Sequence, residues 1–172
     1  FFCDSQRIIL SYKINNTLGW PYVVHLYMEA YKNKHTDADK TVLDKAYTFI
    51  ENNVWLELSD DERQFLATMS VFSSFNLNQC MKQTFLEEKM CLKLLNSIPL
   101  INYDEHTRRY SFNPMFDGFI LQVLDEMPVD EVTKITLRAA DTNLDDGNYF
   151  EAMKLYSHSK EYRKIYQHNI DF

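Results

Sequence analysis

Apolar positions along most of the chain recur with helical spacing. From Val42, the residues Leu43, Ala46, Tyr47, Ile50 and Val54 fall on one stripe, which predicts a helix ending near Leu56. The stretch LSDDERQFLATMSVF follows. In it Ser59 and Glu62 have the spacing of a capping box, in which the serine accepts from a free amide and the glutamate reaches back to the cap. Phe65, Leu66, Met69 and Phe72 then supply a buried face, and Ser73-Ser74 breaks the pattern. NLNQCMKQTF predicts a short third helix, and EEKMCLKLLNSI a fourth with Met90, Leu94 and Leu95 inward.

The period then changes. PLINYDEHTRRYSFNP predicts two short strands, Leu100–Tyr103 and Arg109–Phe112, around a charged loop. Tyr110 and Phe112 alternate with Arg109 and Ser111, as a half-buried hairpin face requires. Pro114 opens an amphipathic helix carrying Phe116, Phe119, Ile120, Val123, Leu124 and Met127. Helices followed by a β hairpin give the outline of a winged helix. The remainder, VDEVTKITLRAADTNLDDGNYFEAMKLYSHSKEYRKIY, predicts two helices separated by Asp145-Asp146-Gly147-Asn148. Gly147 suits the left-handed residue that closes a helix. Gly147-x-Tyr149-x-x-Ala152-Met153-x-x-Tyr156 has the spacing of a tetratricopeptide-type turn and second helix, and one such unit cannot bury both its faces alone.

Composition sharpens the picture at three points. The chain has 172 residues, 45% of them hydrophobic, with 11 Tyr and 12 Phe, enough for a core. Three Gly and four Pro favour helices over a turn-rich β sandwich. No run approaches the ~18 to 20 consecutive apolar residues of a membrane span, and no secretory signal is expected from a start without a basic n-region. The three cysteines, read as reduced thiols, point to a cytoplasmic protein. The start at Phe1, without an initiator methionine, fits a piece of a longer protein.

Charge and chemistry act mainly by exclusion. A net charge of −7 works against an autonomous phosphate grip. From Leu86 to Arg109 four acidic residues (Glu87, Glu88, Asp104, Glu105) balance four basic ones (Lys89, Lys93, Arg108, Arg109). Arg108-Arg109 is the one compact basic spot there, and it reads as a solvated wing more readily than as a phosphate clamp. Cys3, Cys80 and Cys91 are odd in number and irregular in spacing, as reduced thiols are. Cys80, Cys91 and His106 lack the paired spacing of a zinc site, so no metal is expected. His25, His35, His158 and His168 are scattered, and no nucleophile has a partner identifiable by motif. The phosphate-binding G-x-x-x-x-G-K-[ST] is absent, so no catalytic residue is assigned.

The least common residues gather in NTLGWPYVV, where Gly19, Trp20 and Pro21 stand side by side before an apolar run. Read from the residues, Gly19 lets the chain turn, Trp20 fills a core and Pro21 starts a helix where a missing amide costs nothing. Four segments together carry a family resemblance. NTLGWPYVVHLYM, NNVWLELSDDERQFLATMSVFSSFNLNQC, LLNSIPLINYDEHTRRYSFNPMFDGFI and LRAADTNLDDGNYFEAMKLYSHSKEYRKI resemble, in order, the middle of MalT-like, LuxR-family transcriptional regulators of the STAND class of switch NTPases.

The resemblance implies three parts. Residues 1–38 would end a helical domain that follows a nucleotide-binding core, 39–127 would be a winged helix, and 128–172 would begin a TPR-like arm. It implies an ADP-bound resting state with ATP as the activating nucleotide, Gly19 and Pro21 against the nucleotide, and the proline on adenine. The family often has a histidine near the phosphates after the second wing strand. Here that position is Asn113, which can donate a hydrogen bond but carries no charge. The family also has further residues, including a helix, where Lys13 here runs straight into Ile14, so residues missing at that junction are expected.

The expected role is a non-enzymatic regulatory clamp between a nucleotide module and a sensor arm, in a parent that is at most a slow switch ATPase. Its partners would be those domains and a small-molecule or protein inducer, with DNA contacted only through a separate C-terminal helix-turn-helix. The alternative is a protein-interaction adaptor whose winged helix does not bind DNA.

Overall fold

A computed structural model of the chain describes residues 20–32, 38–99 and 101–160, and they are mainly helical with one two-stranded antiparallel hairpin. The elements are α1 (Pro21–Lys32), α2 (Ala38–Asn53), α3 (Asp60–Met69), α4 (Leu77–Thr84), α5 (Glu88–Ser97), β1 (Ile101–Asp104), β2 (Arg109–Phe112), α6 (Pro114–Glu126), α7 (Val129–Asp145) and α8 (Tyr149–His158). A short 3-10 turn, Trp55–Glu57, follows α2. Gly19 and the Lys13–Ile14 junction lie outside the described residues, as do Cys3, His35 and His168. Among the described residues no helix is long and apolar enough to cross a membrane.

Local chemistry sets most helix boundaries. Ser59 caps α3 through both halves of the expected box: Glu62 N–H donates to Ser59 Oγ at 3.3 Å, and Ser59 N–H donates to Glu62 Oε2 at 2.9 Å. Asn76 and Gln79 repeat the device at α4, at 2.8 and 3.0 Å. Asn113 caps α6, its Oδ1 accepting from Met115 N–H at 3.1 Å, with Pro114 in the first turn where no amide is needed. Gly147, at φ +76, closes the turn between α7 and α8.

One core joins the first seven helices and the hairpin. Val23 and Leu26 of α1, Ala46 and Ile50 of α2, Leu66 and Met69 of α3, Cys80 of α4 and Cys91 of α5 all belong to it. Phe112, Phe116, Ile120 and Ala139 extend it through β2, α6 and α7. α2 packs against both α1 and α6. At the second contact Gly118 matters, because a Cβ there would stand 2.5 Å from the Tyr47 hydroxyl. A satellite cluster of Ala140, Ala152 and Tyr156 holds α7 and α8 together, the small alanines allowing close approach.

The hairpin pairs Ile101 with Phe112 and Asp104 with Arg109. A single bridge adds the chain between α3 and α4 to it: Phe75 N–H donates to Tyr110 O at 2.9 Å, and Tyr110 N–H donates to Phe75 O at 2.7 Å.

Two expectations change in detail. Met90 is 42% exposed, and Cys91 takes the inward position in line with Leu94, Leu95 and Ile98 at i+3, i+4 and i+7. Arg109 is half-buried rather than part of the solvent face of β2. The last described helix ends at His158, and residues 161–166 of the stretch predicted to hold two helices lie outside the described residues. The Ser159 hydroxyl donates back to Leu155 O at 3.1 Å, and Lys160 is left-handed at φ +59.

Candidate functional site

The Trp20-Pro21 corner is held by aromatic packing. The Trp20 ring lies edge-on to Phe49 of α2 at 5.6 Å, and Tyr22 lies 4.4 Å from the same ring. Pro21, the first residue of α1, is exposed beside this cluster. Pro21 is thus an exposed ring held beside a cluster of tilted and edge-on aromatics.

Asn113 is placed differently. It is buried, and its side-chain oxygen is committed to the α6 cap. Among the described residues no hydrogen bond joins it to Pro21, although α1 and α6 both pack on α2. Of the three nucleotide-facing positions implied by resemblance, Pro21 is therefore open, Asn113 is an occupied cap, and Gly19 lies outside the described residues.

The most built polar arrangement lies elsewhere, where α4 meets α7. Gln83 is fully buried, and its Nε2 donates to Ile135 O at 2.9 Å. Arg138 of α7 returns the contact, donating from Nη1 to Gln83 O at 2.8 Å, with its guanidinium 4.5 Å over the Phe85 ring. At the far end of α7 the Lys82 ammonium pairs with Asp146 at 2.8 Å. The Asp146 hydrogen bond comes first among the causes that raise the lysine's pKa above its ordinary value. A buried amide, an arginine and one ion pair thus fix the end of α4 to the middle of α7 and to its C-terminus.

A second polar set anchors the hairpin. Arg109 Nε donates to Ser74 Oγ at 2.9 Å, and its Nη2 donates to Ser74 O at 2.6 Å and Gln79 Oε1 at 3.1 Å. Arg108, left-handed at φ +52, is exposed. The basic pair therefore divides: one arginine is spent inside the molecule, and one is free to face solvent.

Titratable groups give little chemistry. Cys80 and Cys91 are free and buried, and burial pushes the Cys80 thiol far above its ordinary pKa, which makes it inert. His25, His106 and His158 are exposed. No group of His, Cys, Asp and Glu among the described residues could hold a metal ion.

Gln79, Gln83 and Arg138 were passed over in the sequence. The available signal was a pair of glutamines four residues apart on the inward face of a short helix, beside Cys80. No family model matches the chain, and no curated protein matches it.

Proposed function

We propose that this chain is a regulatory segment of a nucleotide-switched, inducer-responsive transcription regulator of the MalT-like STAND type. The carrying observation is the α4–α7 joint, in which Gln83, Arg138 and the Lys82–Asp146 pair tie a helical hairpin to the body that bears the β hairpin. Such a joint passes displacement of one part to the other, which a clamp between a sensor arm and a nucleotide module requires.

Two further features support the reading. The order α3, Phe75 bridge, α4, α5, β1, β2 is that of a winged helix. Arg109, which a DNA-reading wing would direct at phosphate, is instead occupied by Ser74 and Gln79. On this reading residues 39–127 are the clamp and α7–α8 begin the arm. ADP holds the parent off, and inducer with ATP opens it to self-association. DNA is contacted by a separate helix-turn-helix domain.

The test is ADP binding by the natural full-length protein, compared with its Asn113→Asp and Pro21→Ala variants. Aspartate keeps the α6 cap while adding a charge that repels phosphate. The expected result is weaker ADP binding by both variants at unchanged melting temperature. Full-length protein that does not bind ADP, or binds it equally well in all three forms, overturns the reading and leaves the protein-interaction adaptor.

A further inference from the structure

A groove of about 570 Å³ opens between α3, α5 and α7, directly beside the α4–α7 joint. That volume falls within the ~300–1,000 Å³ range of small-molecule sites. Its apolar lining comes from buried Phe65 and Leu94, half-buried Leu86 and exposed Met90. Its cations are Lys93 and Arg138.

Arg138 is prepared for a ligand. Nη1 is held by Gln83 O, and the guanidinium plane is fixed over Phe85. Nε and Nη2 have no hydrogen-bond partner among the described residues. Phe85 itself is 75% exposed and left-handed at φ +59, a conformation costly for a bulky side chain. The turn thus accepts strain and holds an aromatic ring in water beneath this arginine.

The groove's two acids balance its two cations in number, and Glu62 interacts electrostatically with Lys93, so Arg138 is the cation the proposal rests on. Asp61 and Glu62 stand in the first turn of α3, and Glu62 is engaged by Ser59 and by the Ser97 hydroxyl at 2.9 Å. Arg138 instead contacts Gln83 O and the Phe85 ring, at the end of α4.

We propose that this groove binds a small organic anion. The apolar body of the ligand lies on Phe65, Leu86 and Met90, and its carboxylate, phosphate or sulfonate takes the free donors of Arg138. Lys93, exposed on α5 and partly offset by Glu62, adds a weaker attraction. Because Arg138 belongs to α7 and the other contacts to the body, the bound anion bridges the two and tightens the joint. The groove would bind such an anion whether or not the chain belongs to a nucleotide-switched regulator.

The probe is 8-anilinonaphthalene-1-sulfonate, titrated by fluorescence into the full chain at low salt. Saturable one-to-one binding is expected. Arg138→Gln weakens it about tenfold, the loss of a charge-assisted hydrogen bond, and Lys93→Gln weakens it less. Met90→Trp, which fills the groove from an exposed position, abolishes it. Leu121→Gln, in the separate groove between α6, α7 and α8, leaves it unchanged. Non-saturable binding, binding indifferent to Lys93→Gln and Met90→Trp, or binding lost in Leu121→Gln overturns the proposal. Melting curves identify a variant that has merely unfolded, and the two exposed substitutions carry the test if Arg138→Gln is such a case.

Discussion

Arg109 Nη2 donates to the Ser74 carbonyl at 2.6 Å, so the guanidinium of the second hairpin strand closes the turn between α3 and α4 instead of facing solvent. The neighbouring Arg108 is exposed. Their substitutions should therefore diverge. Arg109→Gln should destabilise the fold by about 2 kcal/mol, removing both donors from Ser74 and leaving Gln79 Oε1 with Asn76 N–H alone. Arg108→Gln should stay within about 0.5 kcal/mol. Urea unfolding of both variants measures the difference, and equal effects would mean that Arg109 is not an internal anchor.

The joint offers a second comparison. Gln83→Ala removes the donor to Ile135 O and opens a cavity in a fully buried position, which should cost about 2–3 kcal/mol. Hydrogen exchange should quicken in α7 and α8 while the hairpin keeps its protection. Uniform quickening over the whole chain would show that α7 and α8 do not act as a separable arm.

Gly118 and Tyr47 should couple. With tyrosine at 47, Gly118→Ala forces the hydroxyl aside and destabilises by about 1–2 kcal/mol. In a Tyr47→Phe background the obstruction is gone, and the same change should gain the ~1 kcal/mol by which alanine exceeds glycine in a helix. A double-mutant cycle with no interaction energy would contradict the close approach of α2 and α6.

Asp117 gives a pH dependence. Burial raises its carboxyl pKa above the ordinary value, so the folded chain binds this proton more readily than the unfolded chain. Stability from this group is then full below the unfolded-state pKa and falls as pH rises through the folded-state value. Asp117→Asn should raise the melting temperature at pH 7, with the gain vanishing near about pH 3 where both forms are neutral. A gain that persists at low pH would assign the effect to packing.

Much of the fold is legible in the sequence because its signals are local. Ser59 with Glu62, Pro114 after Asn113, and Gly147 between two acidic residues and Asn148 each satisfy orphan backbone groups within one turn, and all three act as read. The exposed Met90 was not legible, because Met90 and Cys91 both lie within one turn of Leu94 and only tertiary packing chooses which of them faces inward. The α4–α7 joint was hidden for a different reason. Gln83 and Ile135 are 52 residues apart, and a glutamine looks the same in sequence whether it faces water or a buried carbonyl. Of the site expected from resemblance, Pro21 is exposed, Asn113 caps α6, and Gly19 lies outside the described residues.

The proposal that this segment is the clamp of a nucleotide-switched regulator is tested most directly by sequencing the coding DNA on both sides of it. The expected result is a P-loop upstream and a helix-turn-helix downstream, after further helical repeats. A stop codon shortly after Phe172 with no P-loop upstream would contradict it, leaving Trp20 and Pro21 as a well-packed corner of an adaptor.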